Sequence, residues 1–296
     1  MLTNQLNLPQ PFVDAASSDR VRKPNRYSVT EVLGGTCEAV LKRHHSPEGD
    51  VADRVWQLFG TAVHKVLQEA QAAPEQLQEN WLSVPVGEFE LSGIFDLYDA
   101  KTETVTDWKT CSVWKTQVGD FDDWREQTLL YCWMLNQVGF PAWHGDIVAI
   151  MRDHSKRKAM FEKGYPKHPV LRIGWDFTED DMARAGEHVS GWFRALSAQL
   201  RDHEEGGDEA LSPCPIEKRW HKPDKWAVMR SGQKKAVRVF DDEDKAVEYM
   251  GDDKGLHIEF RKGEDTKCQS YCEVARWCPH GRKFLQDSEN SQGPSD

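Results

Sequence analysis

The sequence lacks any long hydrophobic run. No N-terminal apolar segment resembles a signal peptide, and no stretch approaches the ~20 apolar residues of a membrane span. These absences argue against secretion and membrane insertion, so we expect a cytoplasmic protein. In that reducing compartment, clustered cysteines indicate metal binding rather than disulfides. The sequence also has no internal repeat, which argues against a solenoid fold.

Positive charge is scarce. The 38 Lys and Arg residues are outnumbered by 49 Asp and Glu, giving a net charge of −11. Because neutralising phosphates requires Lys and Arg, this balance argues against general affinity for nucleic acid. Two segments differ: Arg152–Arg172 has seven basic and two acidic residues, and Glu217–Arg238 has eight and two. They either flank a DNA channel or are simply solvated faces.

Length and composition predict one main domain with an elaboration. The 296 residues are 39% hydrophobic and include 12 Trp, enough to bury a sizeable core. Both ends are polar and rich in small residues and proline. We therefore expect a flexible tail over 1–25, a core domain over 26–210, a C-terminal elaboration over 211–283 and a disordered tail over 284–296.

A β-hairpin carries the first chemical signal. Residues 88–98 and 102–109 both alternate apolar and polar side chains, which is typical of strands. A tight turn between them would place Asp96 opposite Asp107, with Cβ atoms roughly 4.5–5.5 Å apart. Because the side-chain period is two, Lys109 shares a face with Asp107.

Two facing carboxylates repel each other unless a cation lies between them. Carboxylate oxygens suit a hard divalent ion such as Mg²⁺, which also binds phosphate. Such an ion can activate water for phosphodiester hydrolysis, and a nearby ammonium can stabilise the developing charge. The alternative is a surface hairpin whose charges are merely solvated.

Two predicted helices carry further polar residues. Helical spacing over 51–73 places His64 on an otherwise apolar segment, and a second helix over 122–138 carries Gln127 and Tyr131 at i and i+4. Taken singly, each has an ordinary structural explanation: a structural histidine, a capped glutamine and a core tyrosine.

In this order, these residues resemble the motifs of the RecB-like branch of the PD-(D/E)xK nucleases. That branch includes bacterial recombination nucleases, CRISPR-associated exonucleases and many phage exonucleases. The motifs read Gly60-x-x-x-His64, Gly93-x-x-Asp96, Asp107-x-Lys109 and Gln127-x-x-x-Tyr131. The resemblance implies an α/β fold with a restriction-endonuclease-like core, in which helices flank a mixed central sheet.

The resemblance also implies roles for these residues. Lys109 would assist the nucleophile, and Gln127 and Tyr131 would lie near the DNA backbone. The ligands of Mg²⁺ or Mn²⁺ would be the side chains of His64, Asp96 and Asp107 together with the Trp108 backbone carbonyl. Asp107 stands where many relatives have Glu, a permitted variant.

The C-terminal cysteines form a second signal. Cys268, Cys272 and Cys278 have the spacing of a three-thiolate cluster, which needs a fourth ligand to hold a [4Fe–4S] cluster or a structural zinc ion. Similar nucleases hold an iron–sulfur cluster with three C-terminal cysteines and one distant cysteine. Cys37 and Cys214 are the candidates for that position, and we favour Cys214.

The segment before these cysteines predicts a small elaboration. A hairpin over Trp226–Met229 and Val237–Phe240 is expected to be followed by a helix over Asp241–Met250 and a strand over His257–Arg261. The fold is therefore expected to end in a β-hairpin and cysteine-cluster region.

These features predict a metal-dependent DNA exonuclease that acts without sequence specificity in recombination or DNA end processing. The resemblance to phage exonucleases implies a phage or mobile-element type, which would act in the cytoplasm of the host cell. A single-strand annealing or recombination protein is a possible partner. The alternatives are an endonuclease, a CRISPR-adaptation nuclease, or a DNA-binding scaffold that has lost activity.

Overall fold

The structure is a computed structural model that describes residues 2–17, 23–46 and 49–285. Its strands are β1 (Leu2–Thr3), β2 (Arg26–Ser28), β3 (Gly49–Asp50), β4 (Gln76–Val86), β5 (Phe89–Asp99), β6 (Thr104–Cys111), β7 (His144–Met151), β8 (Val170–Asp176), β9 (His221–Lys222), β10 (Lys225–Arg230), β11 (Arg238–Phe240), β12 (Leu256–Arg261) and β13 (Glu264–Asp265).

Helices connect and cover these strands. They are α1 (Gln10–Ala16), α2 (Val29–Val32), α3 (Thr36–His44), α4 (Val55–Gln68), α5 (Val113–Val118), α6 (Asp122–Gln137), α7 (Lys156–Phe161), α8 (Glu179–Gly206), α9 (Glu243–Met250) and α10 (Thr266–Ser270). In the part of the chain that the structure describes, none of the helices is both long and apolar enough to cross a membrane.

The chain divides into two compact units. The first comprises residues 1–39 and 46–200, and the second comprises residues 40–45 and 201–296. The sequence placed the corresponding boundary at 210, ten residues later. The N-terminal segment, expected to be a flexible tail, contains α1 and a short parallel pairing of β1 with β3. The predicted disordered tail over 284–296 lies outside the described residues except for its first two.

A mixed six-stranded sheet forms the centre of the first unit. Its order is β2-β5-β6-β7-β8, and β4 also pairs with β5. The β2–β5 and β6–β7 pairs are parallel, whereas the β4–β5, β5–β6 and β7–β8 pairs are antiparallel. Helix α6 packs on β6 and β7, and α4 packs on β6. The unit therefore has the helix-flanked mixed sheet that the sequence predicts.

The two edges of strand β5 pair differently with their neighbours. Strand β4 pairs along the full length of β5, so β2 and β6 must share the opposite edge. There β2 pairs with Glu90–Ser92, and β6 pairs with Leu97–Asp99. Residues 93–96 lie between these two ladders, so this stretch of the edge is open to side chains from elsewhere.

The hydrophobic core lies between the sheet and its helices. Alternate residues of β7, Ile147 and Ala149, are fully buried, and Trp124 of α6 packs in the same cluster. A second group of aromatic rings surrounds Tyr27, whose centroid lies 5.5 Å from that of Trp192. The strand alternation and the helical stripe of the sequence therefore both point toward this core.

Helix α8 begins with reciprocal capping bonds. Thr178 Oγ1 accepts a hydrogen bond from the Asp181 N–H (3.2 Å), and Asp181 Oδ2 accepts one from the Thr178 N–H (2.9 Å). Arg125 of α6 and Arg184 each donate to Asp181 Oδ1 at 2.8 Å. The Thr178 bonds, aided by the arginines, hold the pKa of Asp181 well below its usual range.

We expect Asp181→Asn to lower the free energy of unfolding by about 1 kcal/mol at neutral pH. Because the folded-state pKa is depressed, the stabilisation is present above the unfolded-state pKa of about 4 and is lost as pH falls through the folded-state value. Urea unfolding at neutral and acidic pH measures both effects. The control is Asp180→Asn, which removes an exposed charge from the same helical turn; an equal loss in both variants would contradict the capping role.

The second unit contains the elaboration. Strands β11, β10 and β12 form an antiparallel sheet, α9 packs on β10 and β12, and β13 pairs with β9. The predicted hairpin, helix and strand are all present, each with ends shifted by no more than two residues. Alternating apolar residues and the Ser231-Gly232 turn were sufficient to locate them.

Candidate active site

The site is built around the point where the β5–β6 ladder ends. Its last pair is Leu97 opposite Thr106, so Asp96 and Asp107 are the next residues on each strand. This is the register that the sequence predicts. The two strands separate here, and Asp96 Oδ2 accepts a hydrogen bond from the Trp108 N–H at 2.7 Å. The Asp96 carboxylate therefore fills the opening and is held in place by the backbone of β6.

Asp107, Lys109 and Gln127 form a closed network. Lys109 Nζ lies 2.6 Å from Asp107 Oδ2 and donates to Gln127 Oε1 at 2.8 Å. Gln127 Nε2 donates to Asp107 Oδ1 at 3.2 Å. The glutamine of α6 thus fixes both β6 side chains, and its position near the DNA backbone remains a prediction.

Asp107 is buried, with a side chain only 5% exposed. Burial raises the pKa of its carboxyl, and the Lys109 ammonium opposes that shift. Oδ2 forms an ion pair with the Lys109 ammonium and accepts no hydrogen bond of good geometry from any other described residue. A buried carboxylate oxygen with an incomplete set of donors is costly for stability, and it is the type of ligand that Mg²⁺ or Mn²⁺ binds. The donor set therefore fits a divalent cation.

His64 of α4 faces the same carboxylates. Its Nδ1 lies 3.1 Å from Asp96 Oδ1, and this hydrogen bond raises the pKa of His64 against the opposing effect of burial. Gly60, one turn earlier, lies beside the Thr110 side chain, and a Cβ there would be 3.4 Å from Thr110 Oγ1. No described backbone atom outside this helix lies within 4 Å of that Cβ, so the glycine is not explained by a close backbone approach beside His64.

Gly93 and Tyr131 contact each other directly. A Cβ at Gly93 would lie 2.6 Å from Tyr131 Cε1 and 3.2 Å from both Tyr131 Oη and Val29 Cγ2. Tyr131 is buried, with 6% of its surface exposed. The motifs that contain Gly93 and Tyr131 therefore meet because the Tyr131 ring of α6 packs onto the open edge of β5. That the Tyr131 hydroxyl lies near DNA remains a prediction.

We expect Gly93→Ala to destabilise the protein by about 1–3 kcal/mol, because the added methyl group forces the Tyr131 ring or β5 to move. Thermal unfolding measures the loss. Gly60→Ala is the matched control, since its Cβ meets only ordinary contacts and alanine is the better helix former by ~1 kcal/mol. An unchanged midpoint for Gly93→Ala would contradict the packing.

Sequence reasoning missed Glu79. This residue of β4 has a carboxylate oxygen 3.8 Å from His64 Nδ1 and a side chain that is 18% exposed. One ligand atom from each of His64, Glu79 and Asp96 lies within 4.8 Å of the other two. Glu79 belongs to no motif and lies on a different strand from the other two carboxylates, so only long-range strand pairing brings it here.

The C-terminal cysteines also converge. Burial, followed by the neighbouring Cys272, Asp265, Cys214 and Cys278, raises the pKa of the Cys268 thiol to about 12. Cys214 therefore lies within electrostatic range of Cys268, and both cysteines belong to the second unit. Cys37 belongs to the first unit, where it is buried. Three thiols within electrostatic range of a fourth are suited to bind a soft metal centre.

Asp265 and His280 lie beside Cys268. Asp265 is 3% exposed and lies 2.5 Å from His280 Nε2 and 2.7 Å from His221 Nδ1. Arg219 Nη1 donates to the same carboxylate at 2.6 Å. Asp265, Cys268 and His280 each place one ligand atom within 4.8 Å of the others. The Cys278-Pro279-His280 sequence was a signal for His280 that sequence reasoning did not use.

Comparisons with known proteins place this arrangement in a family. Among solved structures, an alkaline exonuclease from Laribacter hongkongensis is similar at 12% identity and a TM-score of 0.38, covering 61% of this chain and 92% of its own. A phage-related exonuclease from Haemophilus somnus 129PT is similar at 11% identity and a TM-score of 0.29, covering 49% and 70%. No curated protein sequence matches the chain.

The sequence profile of the PD-(D/E)XK nuclease superfamily matches residues 22–279, nearly the whole described chain. The match includes the helix-flanked mixed sheet, all four motifs and the cysteine region. The fold is accordingly restriction-endonuclease-like, and the chain belongs to the PD-(D/E)XK nuclease superfamily.

Proposed function

We propose that this nuclease is an exonuclease that hydrolyses DNA phosphodiester bonds with Mg²⁺ or Mn²⁺. The carrying observation is the meeting of two carboxylates and an ammonium at the end of the β5–β6 ladder, where the buried Asp107 Oδ2 forms an ion pair with Lys109. A buried ion pair contributes little to stability, because burying it costs several kcal/mol in desolvation. The presence of this pair is better explained by chemistry than by folding.

The residues of the site have distinct roles in this proposal. His64, Asp96, Asp107 and the Trp108 carbonyl would hold the cation. When bound, the divalent ion polarises the phosphoryl group and lowers the pKa of a coordinated water. The Trp108 N–H fixes Asp96, leaving its other oxygen toward His64 at 3.1 Å.

Lys109 is placed to act on the substrate. Gln127 Oε1 and Asp107 hold its Nζ from two directions, and its side chain is 21% exposed, so it can still meet a ligand. An ammonium so fixed would orient the attacking water or offset charge on the phosphate without reorganising. Gln127 is therefore a positioning residue for both Lys109 and Asp107.

Helix α7 supports binding to DNA. Its Lys156, Arg157 and Lys158 are all exposed, within the basic segment that the sequence identifies.

We expect Lys156→Glu/Arg157→Glu to weaken DNA binding and to lower the slope of log K against log salt concentration by about 1–2, one for each lost phosphate contact. Fluorescence anisotropy at several salt concentrations measures the slope. Lys101→Glu, in the exposed β5–β6 turn, is the control, and equal slopes would leave α7 a solvated face.

The test of the function is degradation of end-labelled single-stranded and double-stranded DNA, with Mg²⁺, with Mn²⁺ and with chelator. An exonuclease releases label progressively from one end and leaves closed circular DNA intact, whereas an endonuclease cuts the circle. Activity that persists in chelator would reject the metal mechanism. Binding without cleavage under every condition would favour the inactive scaffold.

We further propose that Cys214, Cys268, Cys272 and Cys278 hold a [4Fe–4S] cluster, with structural zinc as the alternative. The observation in support is that the three other thiols raise the pKa of the Cys268 thiol. The cluster would stabilise the second unit, since metal-binding free energy in such sites is largely folding free energy. A phage-type role in recombination or end processing in the cytoplasm, beside an annealing or recombination protein, belongs to the same proposal.

A further inference from the structure

The backbone of β4 is unusual at Glu79. Gln78 pairs with Leu97 and Asn80 pairs with Phe95 in one continuous register, so no extra residue is inserted between them. Even so, Glu79 has φ +50°, in the left-handed region that disfavours side chains other than glycine. Strain of this type in the middle of a paired strand persists only when its surroundings enforce it, and it concentrates at functional sites.

The strained residue is the one that meets the active site. Glu79 would stand opposite Asp96 in a regular ladder, and its carboxylate instead ends 3.8 Å from His64 Nδ1. Asp96 Oδ1 lies 3.1 Å from the same nitrogen. One imidazole therefore faces two carboxylates from neighbouring strands, and the carboxylates repel each other unless positive charge lies between them.

The adjacent buried carboxylate supplies an independent indication of a cation. Asp107 acts electrostatically on His64, and its Oδ2 is buried without a good hydrogen bond from any described residue other than Lys109. His64 and Lys109 supply the positive charge beside Glu79, Asp96 and Asp107, so the carboxylates outnumber the cationic groups named here. The incompletely hydrogen-bonded oxygen and the excess negative charge both favour binding of a divalent ion.

We propose that Glu79 is an additional ligand for the divalent cation, on the His64 side of Asp96, and that its left-handed backbone is maintained for this purpose. The inference rests on the proposed function, because it concerns the same cation. Oxygen and imidazole ligands of this kind suit Mg²⁺ and Mn²⁺.

Three variants separate charge from strain. Glu79→Gln removes the charge and keeps a side chain at φ +50°. Glu79→Gly removes the charge and relieves the strain, since glycine accepts this conformation. Glu103→Gly is the matched control, because Glu103 has φ +52° in the β5–β6 turn and a similar intermediate exposure.

The measurements are the affinity of metal-free protein for Mn²⁺ by titration calorimetry and its thermal midpoint without metal. We expect both Glu79 variants to bind Mn²⁺ about ten- to a hundredfold more weakly than the wild type. Without metal, Glu79→Gly should unfold a few degrees above Glu79→Gln. Glu103→Gly should bind Mn²⁺ like the wild type.

Wild-type Mn²⁺ affinity in Glu79→Gln would overturn the inference while leaving the proposed nuclease intact. A midpoint for Glu79→Gly at or below that of Glu79→Gln would overturn the link between strain and ligation. If the wild type itself neither binds Mn²⁺ nor degrades DNA, the proposed function and this inference both fail.

Discussion

We expect Asp107→Asn and Lys109→Ala each to reduce DNA cleavage by about 10³-fold or more, because each removes a preorganised group at the reacting phosphate. Asp107 loses its charge toward the cation, and Lys109 loses the ammonium held by Gln127. Single-turnover cleavage of an end-labelled strand in Mg²⁺ measures the loss. The effect should appear in the rate constant at saturating protein rather than in DNA affinity.

Folding should respond differently to these substitutions. Burial raises the pKa of Asp107, so ionising it costs more in the folded chain than in the unfolded chain. Its contribution to stability is greatest below the unfolded-state pKa of about 4 and is lost as pH rises through the raised folded-state value. At neutral pH without metal, Asp107→Asn should therefore unfold at or above the wild-type midpoint. Asp107 is only 4% exposed, a burial that the alternating pattern of the hairpin did not predict.

Controls come from the same hairpin. Asp99→Asn and Lys101→Ala remove the same two charge types near the turn, away from the His64–Asp96 contact, and should cleave at the wild-type rate. A folded Asp107→Asn or Lys109→Ala protein with wild-type activity would contradict the assignment of this site. If the thermal midpoint fell together with the cleavage rate, these residues would instead be needed for the stability of the fold.

The second large effect concerns the cysteines. Protein purified without oxygen should be brown, with roughly four irons per chain, and Cys272→Ser should lose the iron and much of its solubility. The physical reason is that α10 is only five residues long and buries none of them, so that ligation would supply much of its stability. Iron analysis and the visible absorption spectrum measure the loss.

The fourth ligand is tested by comparing two substitutions. Cys214→Ser should lose iron, because Cys214 lies close enough to affect the Cys268 thiol. Cys37→Ser should retain it and serves as the control for replacing a cysteine outside the second unit. The reverse result would assign Cys37 as the fourth ligand. Colourless protein that contains zinc would reject iron–sulfur binding and leave the nuclease site unaffected.

The sequence alone predicted much of the site, since its determinants are local. The β5–β6 register follows from a short connection and strict alternation, and it brings Asp96 beside Asp107 as expected. Helical spacing placed Gln127 and Tyr131 on one face of α6, which begins at the predicted residue and ends one residue early. These periodicities depend only on neighbouring residues, so they can be read without knowing the fold.

Other features depended on how the strands assemble. Glu79 reaches the site because β4 pairs along all of β5, and no local pattern distinguishes it from a solvated glutamate. Gly93 is required because a ring from α6, 38 residues later, packs on it, whereas Gly60 has no such contact. The sequence by itself determined the β5–β6 hairpin, helix α6 and the four motifs of the family. Only the tertiary structure decided which groups are buried, strained or brought together, because burial and long-range pairing depend on partners distant in the chain.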